Sequence, residues 1–217
     1  MMEFGSKEEW KNYCFNNHNS YVKNLHFRKW INKKDISIFN LGRLPKKDLK
    51  QIKSGFEDAI RTAHLKFKVH LDDNSDKKFM NSTTRIIRSA EILKMAIKKR
   101  KENKKENAFI FIFDKPIKSR DEVIHYGEAL TYVSEGVVLF TFNPLKNYSS
   151  NFLRRRAKHE GIHLLGLNVH HEDTKVKGYR NEESCVMEYN APIINICEKC
   201  SDALNSFWKG IKNAKSI

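Results

Sequence analysis

The chain has 217 residues, a formal net charge of +15, 40% apolar and 11% aromatic content, which fits one good-sized domain with a real core and excludes a disordered polymer. Its longest apolar runs, such as Val137-Val138-Leu139-Phe140, fall far short of the ~20 residues that span a bilayer. The first thirty residues carry Trp10, Trp30 and many charges but no apolar secretory core, so a cytoplasmic protein without a membrane partner is expected. The charge is densest at Lys98-Lys99-Arg100-Lys101 and on to Lys104-Lys105. Glu102 and Glu106 interrupt that run and no aromatics interleave it, so it reads as a solvated helix end and loop rather than a nucleic-acid patch.

Residues 1–35 form an N-terminal extension, with Trp10, Tyr13, Phe15, Tyr21, Phe27 and Trp30 scattered among lysines and asparagines. Cys14 and His18 are spaced like a ligand pair, but an isolated pair reads as packing or surface. Ile36–Leu41 has the apolar density of a buried strand, ended by Gly42 and Pro45. A helix follows over 47–64, with Leu49, Ile52, Phe56 and Ile60 as its apolar stripe. Residues 65–71 alternate as a half-buried strand, and 72–76 form a loop. A second long helix is expected after Asn81-Ser82, with Ile86, Ile87, Ala90, Ile92, Leu93 and Ile97 on its buried side. Ala108–Phe113 is the strongest strand, an unbroken apolar run of the kind buried on both faces. Tyr126-Gly127-Glu128-Ala129 leads into another strand or hairpin, and 136–142 is one more strand, stopped by Asn143-Pro144. The alternation implies an α/β fold, with helices laid on a twisted mixed sheet.

A further helix, capped by Ser150 or Asn151, carries Lys158-His159-Glu160-Gly161-Ile162-His163. Residues i and i+4 share a helix face, so His159 and His163 can present ring nitrogens to one metal ion. Glu160 sits one residue round, where its carboxylate can reach a metal-bound water. Arg154, Arg155 and Arg156 read as solvent-facing or as partners of carboxylates. Gly166 ends the helix, because the position after a helix favours positive φ, and the chain can then turn a further ligand back under the metal. The four cysteines are Cys14, Cys185, Cys197 and Cys200. The Cys197–Cys200 pair lies near the C-terminus rather than early in a βαβ unit, which favours metal binding over redox exchange.

Together these residues resemble the metzincin zinc peptidases: HExxH, a glycine three residues on and a following histidine. Cys185-Val186-Met187 and Cys197-Glu198-Lys199-Cys200 narrow the resemblance to the archaemetzincins, and it covers about residues 36 to 203. The resemblance implies a metzincin-like fold with an upper part at 36–166 and a C-terminal subdomain at 167–217. It implies a catalytic zinc on His159, His163 and His170, with His171 and Asp173 as alternatives for the third position. It also implies a second, structural zinc on His171, Cys185, Cys197 and Cys200. Met187 would be the methionine beneath the catalytic zinc, and Tyr189 resembles a tyrosine that approaches the metal in some metzincins. The chain departs from the family at 169–171, where Val169, His170 and His171 replace a histidine and a cysteine.

The expected function is therefore a zinc metallopeptidase acting on peptide or protein substrates. Glu160 would be the general base toward a zinc-bound water, and the strand at 137–142 the edge that takes an extended substrate. The alternative is a catalytically inactive, zinc-stabilised binding module, with nucleic acid as its ligand given the charge.

Overall fold

The computed structural model describes residues 2–16, 27, 30, 35–42, 44–72, 86–102, 106–143, 145–167, 169–170, 174–179, 184–188 and 193–213. The elements begin with β1 (Met2–Phe4), α1 (Lys7–Asn16), β2 (Asp35–Asn40), α2 (Lys46–Thr62), β3 (Lys68–Asp72), β4 (Ile87–Arg88) and α3 (Ser89–Glu102). There follow β5 (Glu106–Phe113), β6 (Ile117–Lys118), β7 (Ile124–His125), β8 (Ala129–Tyr132), β9 (Val137–Thr141), α4 (Ser150–Leu164), β10 (Thr174–Val176) and α5 (Glu198–Asn213). No helix among the described residues is long and apolar enough to cross a membrane.

The apolar run Ala108–Phe113 sits at the centre of a five-stranded sheet of order β3-β2-β5-β9-β8, with none of those six residues more than 1% exposed. The first four strands are parallel and β8 runs antiparallel to β9. Alternation along β5 divides its side chains between two cores. Ile110 and Ile112 join the face that carries α2 and α4, while Phe109 and Phe111 join the face that carries α3. This is a mixed α/β architecture, as expected.

Three expectations need correction. The second helix starts at Ser89 rather than after Ser82, because Ile87 is extended and pairs with Ile117. That start resets the helical phase to Ser89, Ile92, Leu93 and Ala96, leaving Ile86, Ala90 and Ile97 exposed. Residues 65–67 precede β3 instead of belonging to it, and Leu65 and Phe67 pack on the core as loop residues. The strand at 137–142 is not an edge. Its strand β9 lies between β5 and β8 with every residue buried, so the outer strand is the half-exposed β8.

Helix α4 is held at very short range by α2. A Cβ on Gly55 would lie 2.3 Å from the Arg154 carbonyl oxygen and 2.6 Å from Ala157 Cβ, and one on Gly161 would lie 2.7 Å from Ala59 Cβ. Glycine and alanine thus alternate across the contact, and the two backbones approach where larger residues would separate them. Arg154 Nε adds a 2.7 Å hydrogen bond to Asp58 Oδ2 on α2. Ser149 caps α4 by accepting from Phe152 N at 3.2 Å, one residue before the expected cap.

The described part of residues 1–35 is built into the core. β1 pairs with β10, Trp10 Nε1 donates to the Lys199 carbonyl at 3.1 Å, and Trp10, Cys14, Phe27 and Trp30 are all buried. Lys11 pairs with Asp202 of α5 at 3.0 Å. His18 and Tyr21 lie outside the described residues.

The contact between α2 and α4 makes a paired prediction. Gly55→Ala gains about 1 kcal/mol of helix propensity but forces a backbone contact to open, at a cost of about 1–3 kcal/mol. Its melting temperature by circular dichroism should fall. Gly210→Ala on α5 meets nothing within 4 Å and should raise it, by about 0.5–1 kcal/mol of stability.

Candidate functional site

His159 and His163 stand one helical turn apart on α4, each less than a tenth exposed, with their Nε2 atoms 3.0 Å apart. Helix α4 then stops. Leu165 N donates to the Gly161 carbonyl, Gly166 N to the His163 carbonyl, and Gly166 takes φ +107°. This reversal carries the chain back so that the Nε2 of His170 lies 3.1 Å from both other Nε2 atoms. His170 is exposed. Position 166 is also sterically confined, since a Cβ there would meet the rings of Phe207 and Phe27 at 3.1–3.3 Å.

Backbone carbonyls orient two of the rings. His159 Nδ1 donates to Val186 O at 2.6 Å and His163 Nδ1 donates to Leu167 O at 2.7 Å. A carbonyl only accepts, so each Nδ1 carries the proton and each Nε2 of the neutral ring presents its lone pair. Burial pushes both imidazoles down, His163 to about 4, with the neighbouring ring adding to the effect there. Neutral rings are the form that binds metal. Lone pairs crowded this closely repel one another unless a cation lies between them. Tetrahedral zinc with Zn–N of about 2.0–2.1 Å separates its nitrogens by roughly 3.3 Å. The three rings are therefore a group that could hold a zinc ion.

Glu160 is 5% exposed beside this group. Thr131 Oγ1, on β8, donates to Glu160 Oε2 at 2.6 Å, and Arg156 Nε lies 3.5 Å from Oε1. Burial pushes the Glu160 carboxyl up. Coupling to His163 and His159 in their protonated forms, the charge of Arg156 and the Thr131 hydrogen bond outweigh it, and the net direction is down. These groups face one cleft of about 380 Å³, lined by the three histidines, Glu160, Arg156 and Thr131 together with His125 and Glu128.

A second cluster lies close by in the fold. The sulfurs of Cys185, Cys197 and Cys200 all lie within 4.8 Å of one another, and each cysteine is at most 1% exposed. Cys185 Sγ accepts from the backbone N–H of Cys197 at 3.2 Å and of Met187 at 3.4 Å. Burial raises the Cys200 thiol, and hydrogen bonding to Cys185 and Cys197 raises it further. Three buried sulfurs at this spacing suit a soft or borderline metal such as zinc. Cys14 is buried outside that group. Met187 is fully buried next to Val186, whose carbonyl holds His159. His171, Asp173 and Tyr189 lie outside the described residues.

Three residues of the cleft had no functional reading in the sequence, Thr131, His125 and Glu128, whereas Arg156 was read as solvent-facing or paired with a carboxylate and lies against Glu160. Thr131 could have been found by alternation, since it shares a strand face with the apolar Val138 opposite and is polar there. Arg156 is one helical turn before Glu160, a spacing that is legible once the base is assigned.

No protein-family model matches this chain, and no curated protein matches it in sequence. The sheet and its flanking helices define a mixed α/β fold. More particularly, it is similar to the crystal structure of archaemetzincin from Methanopyrus kandleri, with a TM-score of 0.55 over 82% of this chain and 97% of that one. The two share 14% sequence identity, so the likeness is one of fold.

Metal analysis of the purified protein should find two zinc ions per chain. His170→Ala should remove one and Cys197→Ala the other, read by plasma mass spectrometry after gel filtration. An unchanged zinc content in His170→Ala would assign the third position to another residue.

Proposed function

We propose that this protein is a zinc-dependent metallopeptidase in which Glu160 is the general base. The observation that carries the reading is the convergence of three imidazole Nε2 atoms beside a buried glutamate, in a cleft bounded by the outer strand of the sheet. His159, His163 and His170 would hold the catalytic zinc, and Cys185, Cys197 and Cys200 a structural one. His171 remains the proposed fourth structural ligand. When bound, the catalytic zinc supplies Lewis acidity toward a carbonyl oxygen and makes water acidic near neutral pH.

The protein's own groups do the rest. Thr131 keeps one oxygen of Glu160 occupied and its rotamer set, so Oε1 is the oxygen that takes a proton from the attacking water. Glu160 then passes that proton to the leaving amine. Val186 and Leu167 hold two imidazoles in the tautomer that leaves Nε2 available. As the outer strand among the described residues, β8 offers its edge to an extended peptide, whose backbone would pass beside Thr131. The likeness of fold to archaemetzincin supports the same reading.

The second reading, a nucleic-acid-binding module, rests on the net charge and on Lys94, Lys98 and Lys101, exposed on α3. That helix packs on the opposite face of the sheet from α4, so such binding would not use the cleft. A salt-dependent affinity for nucleic acid, with no cleavage of any peptide library, would favour it.

Glu160→Ala should keep its zinc and lose hydrolysis of a peptide library by about 10²–10⁴-fold, followed by mass spectrometry. Activity within a few-fold of wild type would remove this mechanism. Thr131→Val should lower kcat by about tenfold at nearly unchanged KM, while Thr131→Ser, which keeps the donor, should retain most of the rate.

A further inference from the structure

One wall of the cleft is made by the turn that leads into β8, and it carries a carboxylate for which the proposed chemistry has no use. Gly127 takes φ +79°, a conformation costly for other residues, and so delivers Glu128 to the cleft just before the outer strand begins. The backbone of Glu128 is fastened on both sides. Its N–H donates to Thr141 Oγ1 at 2.9 Å, and its carbonyl accepts from Thr141 N at 2.8 Å. The side chain is fastened as well, since Glu128 Oε2 lies 2.7 Å from His125 Nδ1. His125 is braced in turn, its Nε2 lying 3.2 Å from Ser119 Oγ, and the Ser119 hydroxyl is itself within hydrogen-bond range of Asp121 and of the Val123 carbonyl. This chain of contacts holds the carboxylate in place before any ligand arrives, which lowers the ordering cost of binding.

No described residue donates to Glu128 Oε1, and the side chain is 44% exposed. Arg156, the one arginine or lysine among the described lining residues, faces Glu160 instead. A carboxylate so held keeps one oxygen open toward the cleft, where a cation brought from outside can meet it. Because Oε2 is taken by His125, the free oxygen offers a single acceptor rather than the paired edge that a guanidinium fork prefers. A compact ammonium group suits it better.

We propose that Glu128 is a specificity residue that anchors the ammonium group of a substrate lysine side chain, close to the bond that is cut. The anchor rests on the peptidase reading for its substrate, and its position at the entry to β8 puts it alongside a peptide added to that edge. Lysine should be favoured over arginine, and both over neutral or acidic residues, at one position of the bound segment.

The test uses binding, so that it does not depend on turnover. In the zinc-loaded Glu160→Ala protein, fluorescence anisotropy would follow Nα-acetylated, dye-labelled hexapeptides carrying lysine, arginine, norleucine or glutamate at each position in turn. At one position lysine should bind about fivefold tighter than norleucine. Glu128→Gln should erase that advantage, and Glu128→Lys should transfer it to the glutamate peptide. Melting curves of both variants matching the parent would exclude misfolding as the cause. A lysine preference that survives Glu128→Gln, or no preference at any position, overturns the anchor while leaving the peptidase reading intact. If an unacetylated terminus gains affinity where the lysine side chain does not, the site serves a chain end and the lysine assignment is overturned. Failure of every peptide to bind, with no cleavage by the wild type, would instead count against the peptidase reading itself.

Discussion

The geometry of the site depends first on the close approach of α2 and α4. Gly55 and Ala59 on one helix, and Ala157 and Gly161 on the other, let the backbones meet where any larger side chain would push them apart. With its axis held this near the sheet, α4 can bury one flank against α2 and turn the flank carrying His159, Glu160 and His163 toward the cleft. Gly161, between the two histidines, is therefore part of the packing that aims them. A helix placed one ångström further out would carry all three groups away from Thr131, which sits on the sheet and cannot follow.

The second constraint comes from the C-terminal part of the chain. Cys185 contributes its sulfur to the thiol cluster, and the carbonyl of the very next residue, Val186, accepts from His159 Nδ1. Val186 N donates in turn to the Asn195 carbonyl at 2.7 Å, two residues before Cys197. The two candidate metal clusters are thus joined through a single residue. Whatever orders the sulfurs also sets the carbonyl that selects the His159 tautomer, so a site built from distant parts of the sequence behaves as one unit. The N-terminal segment reinforces it, because Trp10 binds the Lys199 carbonyl inside the Cys197–Cys200 pair.

Much of the fold was legible because its signals are local. The run at 108–113 could only be a strand buried on both faces, and the stripe Leu49, Ile52, Phe56 and Ile60 could only be a helix face. The second helix was misread for an equally local reason. Ile86 and Ile87 extend the apolar pattern backwards, and nothing nearby reveals that Ile87 is claimed by a strand partner thirty residues on. The edge was assigned to 137–142 by analogy with the metzincins, and no local pattern in β8 or β9 could correct it. Strand order, not propensity, decides which of them is outermost among the described strands.

The sequence by itself determined the chemistry of the candidate site. Helical periodicity places His159 and His163 on one face, Gly166 supplies the positive φ that stops the helix, and the Cys197–Cys200 spacing marks a thiol pair. Each of these follows from covalent geometry over a few residues. Only the tertiary structure decided that His170 returns to within 3.1 Å of both rings, that Cys185 joins the other two cysteines, and that Thr131 and Glu128 look into the same cleft. Those juxtapositions depend on how α4, β8 and the C-terminal segment pack against one another, and packing joins residues that no local pattern connects.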